Sequence, residues 1–325
     1  MLKLANALIA VVAGVGGTVV LFWAMNKAVE ALPEVWENRL KPYVFIGPAL
    51  IVVTLFLVYP AFRTIFISFY DDRSENFVGV DNYTLLFTDP GLRMAITNNL
   101  LWVLVVPAAC VAFGLLVAVL ADRLTARFES ISKSLIFTPM AVSAVGASTI
   151  WLFVYAWRPA GTAQIGLLNA IWTGLGQEPI AWVQVSTLRL NSFLLMVIMI
   201  WLQTGFAMVL LSSAIKGVPT ETIEAARIDG ATEVQIFWRV TIPQIMSTIV
   251  VVFTTILIAV LKIFDIIFVT TGGNFNTDVV AVRFINELFQ FRRFGLAAAI
   301  VVVLMLATIP VMVYNVRQFR QQEAR

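Results

Sequence analysis

The chain of 325 residues contains no histidine. That removes together the commonest general base, proton relay and metal ligand. Only 13% of its residues are charged, where soluble domains carry about a quarter, so it lacks the polar groups to cover a water-facing surface. No block of lysine or arginine accompanies its net charge of +3, which argues against nucleic acid as a partner. No Gly-Lys-Ser or Gly-Lys-Thr occurs, so there is no Walker A loop, and any ATP chemistry must lie on another chain. The single cysteine, Cys110, sits in an apolar run. It has no partner for an internal disulfide and reads as a small buried hydrophobe.

What is present is hydrophobic length. Apolar residues make up 60% of the chain, and the mean hydropathy is +0.90. A helix needs about 20 apolar residues to cross a bilayer core. Seven stretches approach that length: 4–25, 43–69, 96–121, 135–157, 191–214, 246–269 and 294–316. The pattern predicts an all-α membrane protein of about seven transmembrane helices. The first stretch follows Lys3 and could be a signal peptide. It is longer than a usual signal core and lacks a small-x-small cleavage site, which favours a retained anchor. Residues 27–41 alternate charges with Leu32, Val35, Trp36 and Leu40, as in a short interfacial helix or a linker.

Loop charges orient the chain, because lysine and arginine near span ends collect on the cytoplasmic side. Arg123, Arg127 and Lys133 place loop 122–132 inside. Lys216, Arg227 and Arg239 do the same for 215–245, as do Arg317, Arg320 and Arg325 for the tail. Loop 70–95 sets Asp71, Asp72, Glu75, Asp81 and Asp89 against Arg73 and Arg93 and is placed outside. Loops 158–190 and 270–293 follow by alternation, although Arg283, Arg292 and Arg293 fit the second poorly.

One cytoplasmic loop has the chemistry of two short helices rather than a connector. Pro219 and Thr220 suit a helix start, Glu221 and Glu224 place charge at the positive end of its dipole, and Gly230 suits a left-handed close. Thr232 with Gln235 forms a capping-box pattern for the second helix, and Pro243 is expected to stop it. A defined shape here suggests that something docks on it.

Glu224-Ala225-Ala226, three residues, Gly230, nine residues, then Val240-Thr-Ile242-Pro243 resembles the EAA loop of ABC importer permeases. Val240 and Ile242 depart from that family's pattern only by apolar swaps. The likeness covers nearly the whole chain after the first segment. It includes Phe77 to Tyr83, Phe137-Thr-Pro139, Gly166-Leu-Leu-Asn169, Phe264-Asp265 and Thr271-Gly-Gly273. Together these are similar to the maltose-type carbohydrate permeases, with Arg158-Pro-Ala-Gly161 and Gly166 to Asn169 closest to the alpha-glucoside branch. The resemblance implies a type I ABC importer (MetI-like) permease core over 43–325, preceded by an N-terminal membrane segment and linker over 1–42. It implies that 215–245 is a coupling loop seated in an ATPase groove, with Glu224, Ala225, Ala226, Asp229, Gly230 and Pro243 as its coupling residues. The implied partners are a second permease subunit (MalG-like), two copies of an ATPase subunit (MalK-like) and an extracytoplasmic sugar-binding protein, all at a bacterial cytoplasmic membrane. ATP and magnesium belong to the ATPase, and no cofactor, metal or catalytic residue is expected on this chain.

Polar groups inside spans are costly in lipid and mark either a path or interhelical glue. Thr255, Ala259 and Lys262 share one face at i, i+4 and i+7, and Lys262 can pair with Asp265 three residues on. Gln203 and Thr204 lie beside Trp201 and Phe206, a lining suited to a sugar's hydroxyls and CH faces. The resemblance assigns substrate contacts to Gln203, Phe206, Thr255, Ile258, Ala259 and Lys262. Ala259 and Lys262 replace family asparagines, so the solute need not be maltose. Two other classes of protein fit the sequence less well. An ion-driven secondary transporter would not need the loop and often shows an internal repeat, and none is evident here. An intramembrane enzyme would need a nucleophile or metal cluster that these spans do not offer.

Overall fold

The computed structural model describes the backbone of residues 2–323 and the side chains of residues 6, 7 and 9–317. Lys3, Arg320 and Arg325 therefore lie outside the described side chains. The chain forms two compact units, Met1–Phe66 and Ile67–Arg325, and each is described by itself.

In the first unit α1 (Leu2–Glu30) and α2 (Glu34–Val53) form a helical hairpin. The break between them is only three residues long, so 27–41 holds no separate interfacial helix, only a short linker between two long helices. Pro33 sets the break, because the residue before a proline avoids the helical region, and Pro33 then caps α2 by accepting from the Trp36 N–H at 2.8 Å. Phe22 and Phe45 stack across the hairpin at 6.0 Å. A π-turn at Thr54–Val58 joins α2 to α3 (Tyr59–Ile67). Nearly every valine, leucine and phenylalanine here is exposed. That surface suits a lipid solvent.

The second unit begins with a turn closed by a bridge between Tyr70 and Phe77. Next come α4 (Asp81–Thr88), α5 (Pro90–Ala121), α6 (Ala126–Phe137), α7 (Ala144–Val154), α8 (Leu167–Gly174) and α9 (Leu190–Lys216). The short helices α10 (Thr220–Ile228), α11 (Glu233–Ile236) and α12 (Ile242–Gln244) lead into α13 (Met246–Leu261). They are followed by α14 (Asp265–Thr270), α15 (Val280–Ile285) and α16 (Phe294–Glu323). Asp89 caps α5 by accepting from the Leu92 N–H at 2.9 Å, with Pro90 in the first turn. The third apolar stretch therefore starts six residues before its expected edge. At 32 residues, α5 is about 48 Å long.

The core is where α5, α9 and α13 meet. Trp102, Val106 and Cys110 pack with Leu195, Met196, Ile198 and Leu211, and with Val252, Ile256 and Val260. Cys110 is the small buried hydrophobe that its setting predicts. Close approach uses small residues. A Cβ on Gly114 would lie 2.7 Å from the Ala207 Cβ, and one on Gly205 would lie 2.6 Å from the Ile136 carbonyl. Contacts at both ends give the directions of the helices. Asn98 meets Arg189 at one end of the α5–α9 pair and Asp122 meets Ser212 at the other, so the two run parallel. Asn99 donates to the Leu261 carbonyl at 3.1 Å, so α13 runs antiparallel to them.

Among the described residues five helices are long and apolar enough to span a membrane, or seven when each of two bent pairs is counted as one span. The bends correct three expectations. The fourth span is not straight: residues 126–141 and Ala144–Val154 meet at 103°, beyond Pro139, where Val142 and Ser143 leave the helical region. Loop 122–132 is mostly helix, since α6 starts at Ala126. Pro243 does not stop its helix. The chain passes it through a π-turn at Phe237–Thr241 and breaks at Ile245, with a 70° bend into α13. A proline has no N–H for the carbonyl four residues back, and here the Ile242 N–H reaches to Phe237 instead. The same device precedes Pro60, where the Tyr59 N–H reaches Thr54.

Candidate coupling loop and translocation path

The helix pair expected between the fifth and sixth apolar stretches is formed, with its glycine close and its capping box in place. Asp229 ends α10, and Gly230 follows at φ +83°. The Gly230 N–H donates to Arg227 and the Ala231 N–H to Ala226, both at 3.0 Å, the paired bonds of a Schellman close. Thr232 and Gln235 complete the capping box of α11. Arg227 then clamps the pair, its Nε 2.7 Å and its Nη2 3.2 Å from the two Glu233 oxygens. That contact raises the arginine's pKa and lowers the glutamate's. The loop is anchored to the bundle by a small core of Val218, Ile242 and Ile245, flanked by Ile215, Ile223 and Phe237.

The rest of the loop is presented to solvent. Glu224, Ala225, Asp229 and Gly230 are exposed, Ala226 is half-buried, and Pro243 is exposed at the bend. Ala226, Asp229 and Gly230 line a groove of about 370 Å³ with Gln235, Arg239 and Val240. Ile228 is 86% exposed at the tip.

Sequence reasoning missed the charges at the base of this loop. Lys133 on α6 sits among the Asp122 carboxylate at 2.9 Å, the Glu129 carboxylate at 2.5 Å and the Ser212 hydroxyl. Lys216, the last residue of α9, contacts Glu129 and lies 3.7 Å from Asp122. Only the Glu129–Lys133 spacing of four residues was a local signal. The other partners are 79–94 positions apart or lie across a turn.

The six candidate path residues fall on two neighbouring helices but are not joined. Phe206 and Ala259 flank the main core, Gln203 and Ile258 are half-buried, and Thr255 and Lys262 are exposed. The Thr255 hydroxyl is satisfied within its own helix, donating to the Val251 carbonyl at 2.7 Å. Thr254 is interhelical glue, 2.5 Å from Asn315 on α16. The expected sixth span breaks at 262–264, between α13 and α14. Lys262 thus caps α13 (φ −106°, ψ 22°) and leaves the shared helical face. Among the described residues it makes no ion pair with Asp265. A broken helix no longer holds i and i+3 side by side.

The far end of α5 carries a different kind of charge. Glu287, with no exposed surface, lies 2.9 Å from Arg283 Nε and 3.4 Å from Arg293 Nη1. The shorter contact is an ion pair without hydrogen-bond alignment. Arg293 reaches Asp72 at 3.3 Å and Arg283 reaches Asp89 at 3.9 Å. Two of the three arginines that fitted the charge rule poorly, Arg283 and Arg293, are thus neutralised locally. Asn98 and Asn191 brace left-handed turns at Leu188–Arg189 and Phe275–Asn276.

Apolar spanning helices, two of them bent, and a closed helix pair hung from one bundle end define a multi-pass membrane protein with one structured loop. A family model described as "Binding-protein-dependent transport system inner membrane component" matches residues 110–320, and the chain belongs to that family. It is 53% identical to the osmoprotective compounds uptake permease protein GgtC of Synechocystis sp., over 86% of this chain and 99% of that one. It is 45% identical to the alpha-glucoside transport system permease protein AglF of Rhizobium meliloti, over 98% of this chain and 97% of the relative. The fold matches a chain of a bacterial alginate ABC transporter solved in complex with an alginate pentasaccharide-bound periplasmic protein. That match has a TM-score of 0.74 at 19% identity and covers 89% of this chain and 98% of the other. The chain is a multi-pass transport subunit of an ABC importer and not an enzyme. The ion-driven alternative has no support from these relatives.

Proposed function

We propose that this permease imports a small neutral carbohydrate, an alpha-glucoside or a related hydroxylated osmoprotective solute, across a bacterial cytoplasmic membrane. The observation that carries the transport mechanism is the capped α10–α11 pair. Its tip is exposed while its base is buried, as docking on a separate ATPase requires. Glu224, Ala225, Ala226, Asp229, Gly230 and Pro243 are the proposed coupling residues. The two alanines let a partner backbone approach, Glu224 offers a carboxylate to a basic partner, and Gly230 makes the left-handed close.

A second, MalG-like permease would complete the path, and two MalK-like ATPase subunits would bind the two coupling loops. ATP and magnesium are proposed to act only there. A sugar-binding protein would deliver solute to the face formed by 70–95, 158–190 and 270–293. Residues 43–325 form the proposed permease domain, and 1–42 its added membrane segment. The solute would pass Gln203, Phe206, Thr255, Ile258 and Ala259, with Lys262 at the broken end of α13. Closure of the ATPases would rock the two permeases between inward-open and outward-open states by mostly rigid-body motion.

The test is uptake of labelled alpha-glucosides and of osmoprotective glycosides into vesicles holding all four kinds of subunit. ATP-dependent uptake, competed by one of these solutes and not by amino acids, is the expected result. Uptake by this chain alone on an ion gradient would overturn the reading.

A further inference from the structure

We propose that Lys133 is a positioning residue that fixes the coupling loop against the bent fourth span. This rests on the reading of 215–245 as the coupling loop. The cluster draws on three elements: Asp122 caps α5, Glu129 and Lys133 lie on α6, and Ser212 and Lys216 lie in the last turns of α9. Lys216 directly precedes Gly217, where the loop begins. An ammonium has three donors, and Lys133 places them on Asp122, Glu129 and Ser212. Two carboxylates and two lysines balance. The Asp122, Glu129 and Lys133 side chains are each less than one-fifth exposed, so their attraction is screened less than that of an open surface pair.

The geometry makes this a strut. The small core under the loop is apolar and non-directional. It resists separation but does little to set the angle at which α10 leaves α9. The ammonium and its three acceptors are directional, and they tie the ends of α5 and α9 to α6, with the Lys216–Glu129 contact holding the residue just before Gly217. Helix α6 continues through the 103° bend into α7, which packs on α9 within the bundle. A push on the loop therefore reaches a spanning element through Glu129 and Lys133 and does not pass only along the backbone into α13.

Two measurements test this. The first uses vesicles holding the complete transporter and reads solute imported per ATP hydrolysed. Lys133→Met keeps most of the length of the side chain and removes the charge. It is expected to lower that ratio about fivefold or more, the low end of allosteric coupling factors, while ATP hydrolysis continues. Lys133→Arg, which restores the charge, is expected to recover most of the ratio. An unchanged ratio in Lys133→Met at equal membrane level overturns the proposal.

The second needs neither ATP nor partners. Spin labels are placed at Arg127→Cys and Thr222→Cys in a Cys110→Ala chain, with and without Lys133→Met. The proposal expects one narrow distance that broadens when Lys133 is lost. An unchanged distribution overturns it, even if the parent transporter proves not to be ATP-driven. If Lys133→Met fails to accumulate, Lys216→Met, at the half-exposed edge of the cluster, is measured in both ways and is expected to show the same changes, smaller in size.

Discussion

The two ends of the α5–α9 pair hold charge in opposite ways. At the end that carries the proposed coupling loop, lysines and carboxylates meet at the margin of the bundle, beneath a tip that leaves Glu224, Ile228 and Asp229 exposed. At the other end Glu287 is fully buried between two arginines, and the backbone is pressed tight. A Cβ on Gly295 would lie 2.0 Å from the Tyr70 carbonyl, and the Phe294 N–H already donates to Asp72 at 3.0 Å. The first arrangement suits a part that docks and moves, the second a fixture. Substitutions at the fixed end should therefore cost folded protein, and those at the loop should cost coupling.

Gly295→Ala should have the largest effect. Its methyl meets backbone that cannot step aside, so the loss should exceed the ~3 kcal/mol of ordinary overpacking. The check is the membrane level and the thermal unfolding of purified protein. Near-parental values would show that this end is not a fixture. Glu287→Ala comes next, leaving Arg283 and Arg293 without their shared partner. Because both arginines keep some solvent contact, the expected loss is about 3 kcal/mol, the low end for a broken buried pair. It is read as a lowered denaturation midpoint.

Gly230→Ala sharpens the contrast. A Cβ there meets open space, but φ +83° is strained for any residue with a side chain, at about 1–2 kcal/mol. The strain is confined to the helix pair, so global unfolding should move little while uptake per ATP falls. A large drop in global stability would erase the distinction between the ends.

The smallest effect is electrostatic. Burial pushes the Asp278 carboxyl up to about 6, against a weaker pull from Arg283. The folded state thus binds this proton more tightly than the unfolded chain, whose carboxyl titrates near ~3.9. Ionised Asp278 costs stability above pH 6, and that cost is relieved as pH falls from about 6 towards 4. Asp278→Asn should unfold at a slightly higher temperature than the parent at pH 7.5, with the gap closing by pH 4. A gap that does not vary with pH would contradict this.

The helix pair of the proposed coupling loop was readable in the sequence because its signals are local. Gly230, the Thr232–Gln235 box and the Glu-Ala-Ala spacing all act within a few residues of where they stand. The apolar stretches were readable for the same reason. Their interruptions were less so. Nothing in Leu261-Lys-Ile-Phe-Asp265 announces a break, since it holds no glycine or proline, and continuous apolar character promised a straight sixth span. Pro243 was visible, but whether a proline stops, bends or is bypassed by a π-turn depends on the packing of Ile242 and Ile245 around it. The Lys133 cluster and the Glu287 bracket were beyond reach. Their members are brought together only when α5, α6 and α9, or loop 70–95 and the start of α16, have already packed.

The most direct test of the account measures ATP hydrolysis and solute uptake together in vesicles holding the complete transporter, comparing the parent with Glu224→Ala plus Gly230→Pro. The account predicts that the altered subunit still inserts while ATP-dependent uptake collapses. Uptake that continues unchanged with the loop so disrupted would contradict the assignment of 215–245 as the element through which ATP drives transport.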